Sequence, residues 1–229
     1  MAVKKILTID KYEKFLRTPS QPVKKINREV KELIQDIRDT IDANPAIGLA
    51  APQIGVHKRV FGARMSYNDD QSDEEMQPPV IFINPEILEQ SEETERGHDA
   101  CLSIPGMIGY TERKLKIKVR YQNEKGKWVE QEFEGWDARV IQHEADHLDG
   151  ILFLDRLTSQ EDLYVLVPDD EGRLEPVPYL QVKQAAQSAK KPQSAVLTPG
   201  KNGDRGLAEA LAEATPRTKK QSGNILRKF

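Results

Sequence analysis

Two histidines four residues apart bracket a glutamate in Gln142-His143-Glu144-Ala145-Asp146-His147. On a helix, positions i and i+4 lie one above the other on the same face. His143 and His147 can then reach a single metal ion, with Glu144 placed to touch water held by that ion. The flanking residues predict such a helix. Ala138, Val140, Ile141, Ala145 and Leu148 recur at helical spacing, Asp137 stands at the expected cap, and Asp149-Gly150 follows as a stop.

Two imidazoles do not complete a catalytic metal site. The position at which some metalloproteases carry a third histidine is Phe153 here, so that continuation fails. Glu161 and Glu171 lie downstream but in no helical metal-binding pattern. Upstream, Cys101 is the chain's one cysteine. It cannot form an intrachain disulfide, which fits a reducing compartment or a thiol with a chemical role. His98, three residues earlier, is a rival ligand by its H-x-x-C spacing. His57 is expected at the surface, after the Gly55 turn. A third stretch, Ile47-Gly48-Leu49-Ala50-Ala51-Pro52-Gln53-Ile54-Gly55, is small and apolar with one side-chain amide. Small residues let backbone approach a ligand closely, and Gln53 can offer an N–H to a developing oxyanion.

Gly48-Leu49-Ala50-Ala51-Pro52-Gln53, Cys101-Leu102-Ser103 and His143-Glu144-Ala145-Asp146-His147 together resemble the three signature motifs of the peptide deformylases, in their usual order. The similarity runs from about Ile6 to Leu157. It implies Cys101, His143 and His147 as metal ligands. It also implies a reaction: hydrolysis of the N-formyl group from the initiator methionine of nascent polypeptides, with release of formate. The implied ion is Fe2+, with Zn2+, Ni2+ or Co2+ able to occupy the site.

One thiolate and two imidazoles suit a borderline or soft divalent ion and leave a position open for water. Such an ion lowers the pKa of its water toward ~7. Glu144 is expected to take the water proton and pass it to the leaving amine. Gln53 and the Leu102 backbone N–H are the expected oxyanion donors. Ile47, Gly48, Trp136 and Val140 are expected to bind the methionine end of the substrate. The alternatives are a metallopeptidase of other specificity and a ribosome-associated binding protein that has lost activity.

The second motif departs from the family pattern. Asp99-Ala100 stands where Glu-Gly is usual, and no arginine occurs around Gly106-Met107-Ile108-Gly109. Arg113 lies further on, and Arg139 is the residue that would compensate from the helix.

The elements that must position these groups read as an α+β domain, with antiparallel sheets around a central metal-binding helix. A strand is expected over Ile6–Ile9 and a helix from Lys24 to Ala43, with Ile26, Val30, Leu33, Ile34, Ile37 and Ile41 on one face. Strands are expected near Lys58–Ala63, Val80–Asn84, Leu115–Gln122 and Trp128–Phe133, the third by clean period-two alternation. Residues 67–79 read as an acidic surface loop, and Glu86–Arg96 as charged and partly extended.

The 229 residues are 38% hydrophobic and 31% charged, which suits a globular domain with polar appendages. Residues 1–157 form the expected catalytic domain and 158–182 an extension packed on it. Residues 183–229 form a basic low-complexity tail, expected to be mostly disordered. That tail holds ten Lys or Arg against three Asp or Glu, a balance of +7 within a net charge of −3. A basic arm of this kind suggests contact with ribosomal RNA. No apolar run reaches the roughly 20 residues needed to cross a bilayer, and no secretory signal is visible. The cytoplasm is the expected location.

Overall fold

The computed structural model describes residues 2–65 and 77–190. No strand forms over Ile6–Ile9. The chain there runs outside both sheets, and the Leu7 and Ile9 amides donate to the carbonyls of Gln53 and Ser103 at 2.8 and 2.9 Å. It then turns into α1 (Ile9–Leu16), whose Leu16 is buried. A second helix, α2 (Arg28–Asp42), starts later than Lys24 because Asn27 caps it, its side chain accepting from the Val30 amide at 3.1 Å. Its buried stripe is Val30, Leu33, Ile34, Ile37 and Ile41.

The next elements are β1 (Gly48–Ala50), a single 3-10 turn over Ala51–Ile54, β2 (Val60–Ala63) and β3 (Val80–Gln90). They are followed by β4 (Thr94–Cys101), β5 (Ile104–Lys114), β6 (Lys116–Gln122), β7 (Trp128–Glu134) and α3 (Gly135–Leu148). The described chain closes with β8 (Leu163–Pro168), β9 (Leu174–Pro178) and α4 (Tyr179–Lys190). One sheet runs β1-β2-β3-β6-β7 and the other β4-β5-β8-β9, with antiparallel neighbours throughout.

The five-stranded sheet lies between two helices. On one face α2 meets Leu49, Val60, Ile81 and Ile83. On the other, Ala138, Val140, Ile141, Ala145 and Leu148 of α3 meet Phe61, Phe82, Val119 and Phe133. Every residue of β2 is buried, as a strand covered on both faces requires. A third cluster of Leu16, Ile104, Leu152, Phe153 and Leu163 ties α1 to the four-stranded sheet.

Three expectations need correction. The strand read over Val80–Asn84 continues to Gln90, because a register shift between Ile83 and Glu86 accommodates Pro85. The charged stretch before Cys101 and the residues after it form the long β4–β5 hairpin, whose pairing was not visible as alternation. The cap of α3 is Glu134 rather than Asp137, which sits inside the first turn where an acidic side chain favours the helix dipole.

The hairpin β8–β9 and α4 follow Leu157, and the boundary expected at 183 falls inside α4. Residues 191–229, which include most of the basic tail, lie outside the described residues, as does most of the acidic stretch 67–79. Among the described residues no helix is long and apolar enough to cross a membrane.

Candidate active site

Helix α3 carries His143 and His147 on the face turned toward the end of β4. Their rings meet edge-on, with centroids 5.0 Å apart. A register shift between Ala100 and Cys101 ends the regular pairing of β4 with β5 and brings the thiol to the helix. Cys101 Sγ stands 3.3 Å from His147 Nε2. One donor atom from each of Cys101, His143 and His147 lies within 4.8 Å of the others. His98 lines the neighbouring pocket but stands outside this group, its ring 5.6 Å from that of Trp136.

The polar atoms around the donors fit a divalent ion. Glu144 Oε2 and His147 Nδ1 are buried without a hydrogen-bond partner. Burial pushes the Glu144 carboxyl up to about 7. Burial likewise pulls His147 well below its ordinary pKa. For His143 burial acts the same way, but hydrogen bonding to Asp99 and Cys101 outweighs it and raises the pKa well above 6.5. Its Nδ1 faces Asp99 Oδ2 at 3.7 Å, leaving Nε2 as the nitrogen available to a metal.

Gln53 comes from the 3-10 turn after β1. Its Oε1 accepts from the Ala50 amide at 2.8 Å, which fixes the side chain. Its Nε2 lies 3.4 Å from Cys101 Sγ and 3.3 Å from Ser103 Oγ. The Ser103 amide also donates to Cys101 Sγ, at 3.4 Å.

A pocket of about 310 Å³ opens above the donors. Ile47, Gly48, Gln53, Cys101, Leu102, Trp136, Val140, His143 and Glu144 all line it, while His147 lies beneath, almost wholly buried. The expected site residues are therefore brought together from β1, the turn after it, the end of β4 and α3. Gly48 belongs to β1, which is an edge strand of its sheet among the described residues.

Beneath the donors lies a buried ionic network that the motifs alone did not reveal. Arg113 donates to Asp99 Oδ2 through Nε at 2.9 Å and Nη2 at 2.6 Å, and to Asp146 Oδ2 through Nη1 at 3.0 Å. Arg156 adds two bonds to Asp146, at 2.6 and 3.1 Å. Burial alone would raise the Asp99 carboxyl, but His143 and Arg113 hold it below the usual carboxylate range.

Arg139 is committed to the same network. Its guanidinium donates to Asp99, Thr111 and the carbonyls of Gly97 and Glu95, so it does not replace the missing arginine as a free peptide clamp. His57 also differs from expectation. It is half-buried, stacked 3.8 Å from Phe15, with Nε2 3.0 Å from the Phe15 carbonyl oxygen.

The α+β fold, a sulfur and two ring nitrogens in reach of one ion, and a buried carboxylate beside them define a metal-dependent hydrolase. Residues 3–162 match the family model described as polypeptide deformylase. A peptide deformylase of Thermotoga neapolitana is 43% identical over 148 residues, covering 65% of this chain and 84% of that one. The solved peptide deformylase of Ehrlichia chaffeensis superposes with a TM-score of 0.62 at 31% identity, covering 82% of this chain and 99% of that one. A peptide deformylase of Acinetobacter baumannii with Met-Ala-Ser bound superposes with a TM-score of 0.61 at 34% identity, covering 68% and 99%. The chain belongs to the polypeptide deformylase family.

Proposed function

We infer that this chain removes the formyl group from N-formyl-methionyl nascent polypeptides by metal-assisted hydrolysis. The observation that carries this reading is the convergence of Cys101, His143 and His147 on one point beside the buried Glu144. We assign these three as the ligands of a single divalent ion, with iron(II) as the physiological metal and zinc, nickel or cobalt as substitutes. The mixed sulfur and nitrogen donor set is compatible with each of them. When bound, the ion supplies Lewis acidity that polarises the formyl carbonyl and makes water acidic near neutral pH.

The protein groups supply the rest. Glu144 receives a proton from the attacking water as the carbon–oxygen bond forms. It then delivers a proton to the methionine nitrogen as the carbon–nitrogen bond breaks, giving formate and a free amine. A carboxyl held near 7 by burial is matched to both tasks. Gln53 Nε2 and the Leu102 amide donate to the oxygen that gains charge, each worth about 3 kcal/mol of barrier when aligned.

Ile47, Gly48, Trp136 and Val140 hold the methionine end in the apolar part of the pocket. Among the described residues β1 has a strand partner on one side only, which leaves its other edge for an extended peptide. The Met-Ala-Ser bound to the Acinetobacter relative supports a peptide of that length as occupant.

The deciding assay is formate release from formyl-Met-Ala by protein purified without oxygen and under reducing conditions. Release supports the reading. Cleavage of unformylated peptides without formate release would favour a metallopeptidase instead.

The domain boundaries are proposed as a catalytic unit over residues 1–157 with an extension packed on it. We further propose that the chain acts in the cytoplasm and that its basic C-terminal tail touches the ribosome, motivated by the +7 balance of residues 183–229. Deleting residues 191–229 should weaken salt-sensitive ribosome association. Unchanged association would remove this assignment.

A further inference from the structure

We propose that the β8–β9 hairpin forms the downstream wall of the peptide cleft, and that Leu166 and Leu174 select apolar side chains in the residues following the formyl-methionine. The inference rests on the deformylase reading and adds to it a specificity that the family motifs do not carry. The family match ends at residue 162, and the hairpin begins at Leu163. The two leucines nevertheless line the same pocket as Cys101, His143 and Glu144.

The hairpin is fixed in place rather than loosely draped. β8 extends the sheet of β5, with Met107 opposite Val165, Ile108 opposite Tyr164 and Gly109 opposite Leu163. Leu163 is buried in the cluster around Phe153, and the Tyr164 ring meets Tyr110 edge-on at 5.7 Å. Within the hairpin Leu166 faces Pro176 and Pro168 faces Leu174. Leu166 and Leu174 are thus diagonal neighbours on one face. Both are half-buried, so each keeps surface to offer a ligand.

Pro105, Gly106 and Met107 continue this wall toward Cys101. From Gly106 to Gly109 it carries no cation, and Arg139 is occupied within the ionic network. A peptide held by its formyl-methionine at Glu144 must leave the centre along the same pocket, so its next residues meet an apolar wall. Such a wall rewards an apolar side chain and penalises a charged one, which loses water there without gaining a partner.

The test compares kcat/KM of the iron-loaded full chain on formyl-Met-Leu-Leu-Ser, formyl-Met-Ser-Ser-Ser and formyl-Met-Lys-Lys-Ser. The expected order is Leu over Ser by about tenfold, with Lys lowest. In a Leu166→Glu, Leu174→Glu variant the Lys peptide should rise above the Leu peptide. In a Leu166→Ala, Leu174→Ala variant, a milder change that keeps the strand backbone, the Leu preference should fall toward one. An unchanged ranking in both variants, or equal rates for all three peptides with the unmodified chain, overturns the proposal while leaving the deformylase reading intact. Absence of formate from every peptide is the separate outcome that overturns that reading, and the proposal with it.

Discussion

The α-carbon of Gly48 lies against the carboxyl group of Glu144. A Cβ at position 48 would come within 2.8 Å of Glu144 Cδ and Cγ, and closer still to Oε1. The first motif and the third are therefore coupled by contact, and glycine is needed there for space rather than for an unusual backbone angle. Gly48→Ala should displace the carboxylate and lower kcat/KM about 100-fold, the usual order for a misplacement near 1 Å. Metal content measured on the same sample should not change, because the three atoms nearest a Cβ at position 48 all belong to Glu144 and not to a donor.

Glu144→Gln keeps the shape of the side chain but removes the proton acceptor. Formate release should fall by about 10²–10⁴-fold with the metal still bound. A variant that turned over normally would overturn the acid–base role.

Cys101→Ala removes the one sulfur from the donor set. Purified protein should hold less than half the metal of the unmodified chain, measured by elemental analysis, and formate release should fall in step. A chelator should abolish the activity of the unmodified enzyme, and re-addition of iron(II) without oxygen should restore it.

Arg113→Met leaves Asp99 and Asp146 buried with a principal counter-charge gone. Arg113 and Asp99 side chains are 4% and 3% exposed, so solvent screens the loss little. Destabilisation of about 3–5 kcal/mol is expected, seen in a thermal melt as a fall on the order of 10 °C. Asp99 also faces His143, so metal affinity should weaken in the same variant.

Asp99 shows where sequence reading reaches its limit. Its departure from the usual glutamate is legible as a shorter acid, but its partners are not. Arg113 lies on the neighbouring strand of a hairpin whose residues do not alternate cleanly, since Thr94-Glu95-Arg96 is polar at every position. Periodicity reports burial of one face, and it falls silent where a strand has polar residues on both. Arg139 illustrates the converse: its place on the helix was readable, but the direction of its guanidinium depends on Gly97. A Cβ there would come within 2.9 Å of Arg139 Cζ.

By itself the sequence determined the helix that carries His143, Glu144 and His147, the amphipathic stripe of α2 and the alternating strand β6. Each is written in spacings of two to four residues, over which covalent geometry alone decides which side chains share a face. Only the tertiary structure decided that Cys101 reaches His147, that Arg113 pairs with Asp99 and Asp146 beneath the donors and that Leu166 and Leu174 line the pocket. Those contacts join segments tens of residues apart, and strand pairing and burial around a shared core bring them together without leaving a local pattern.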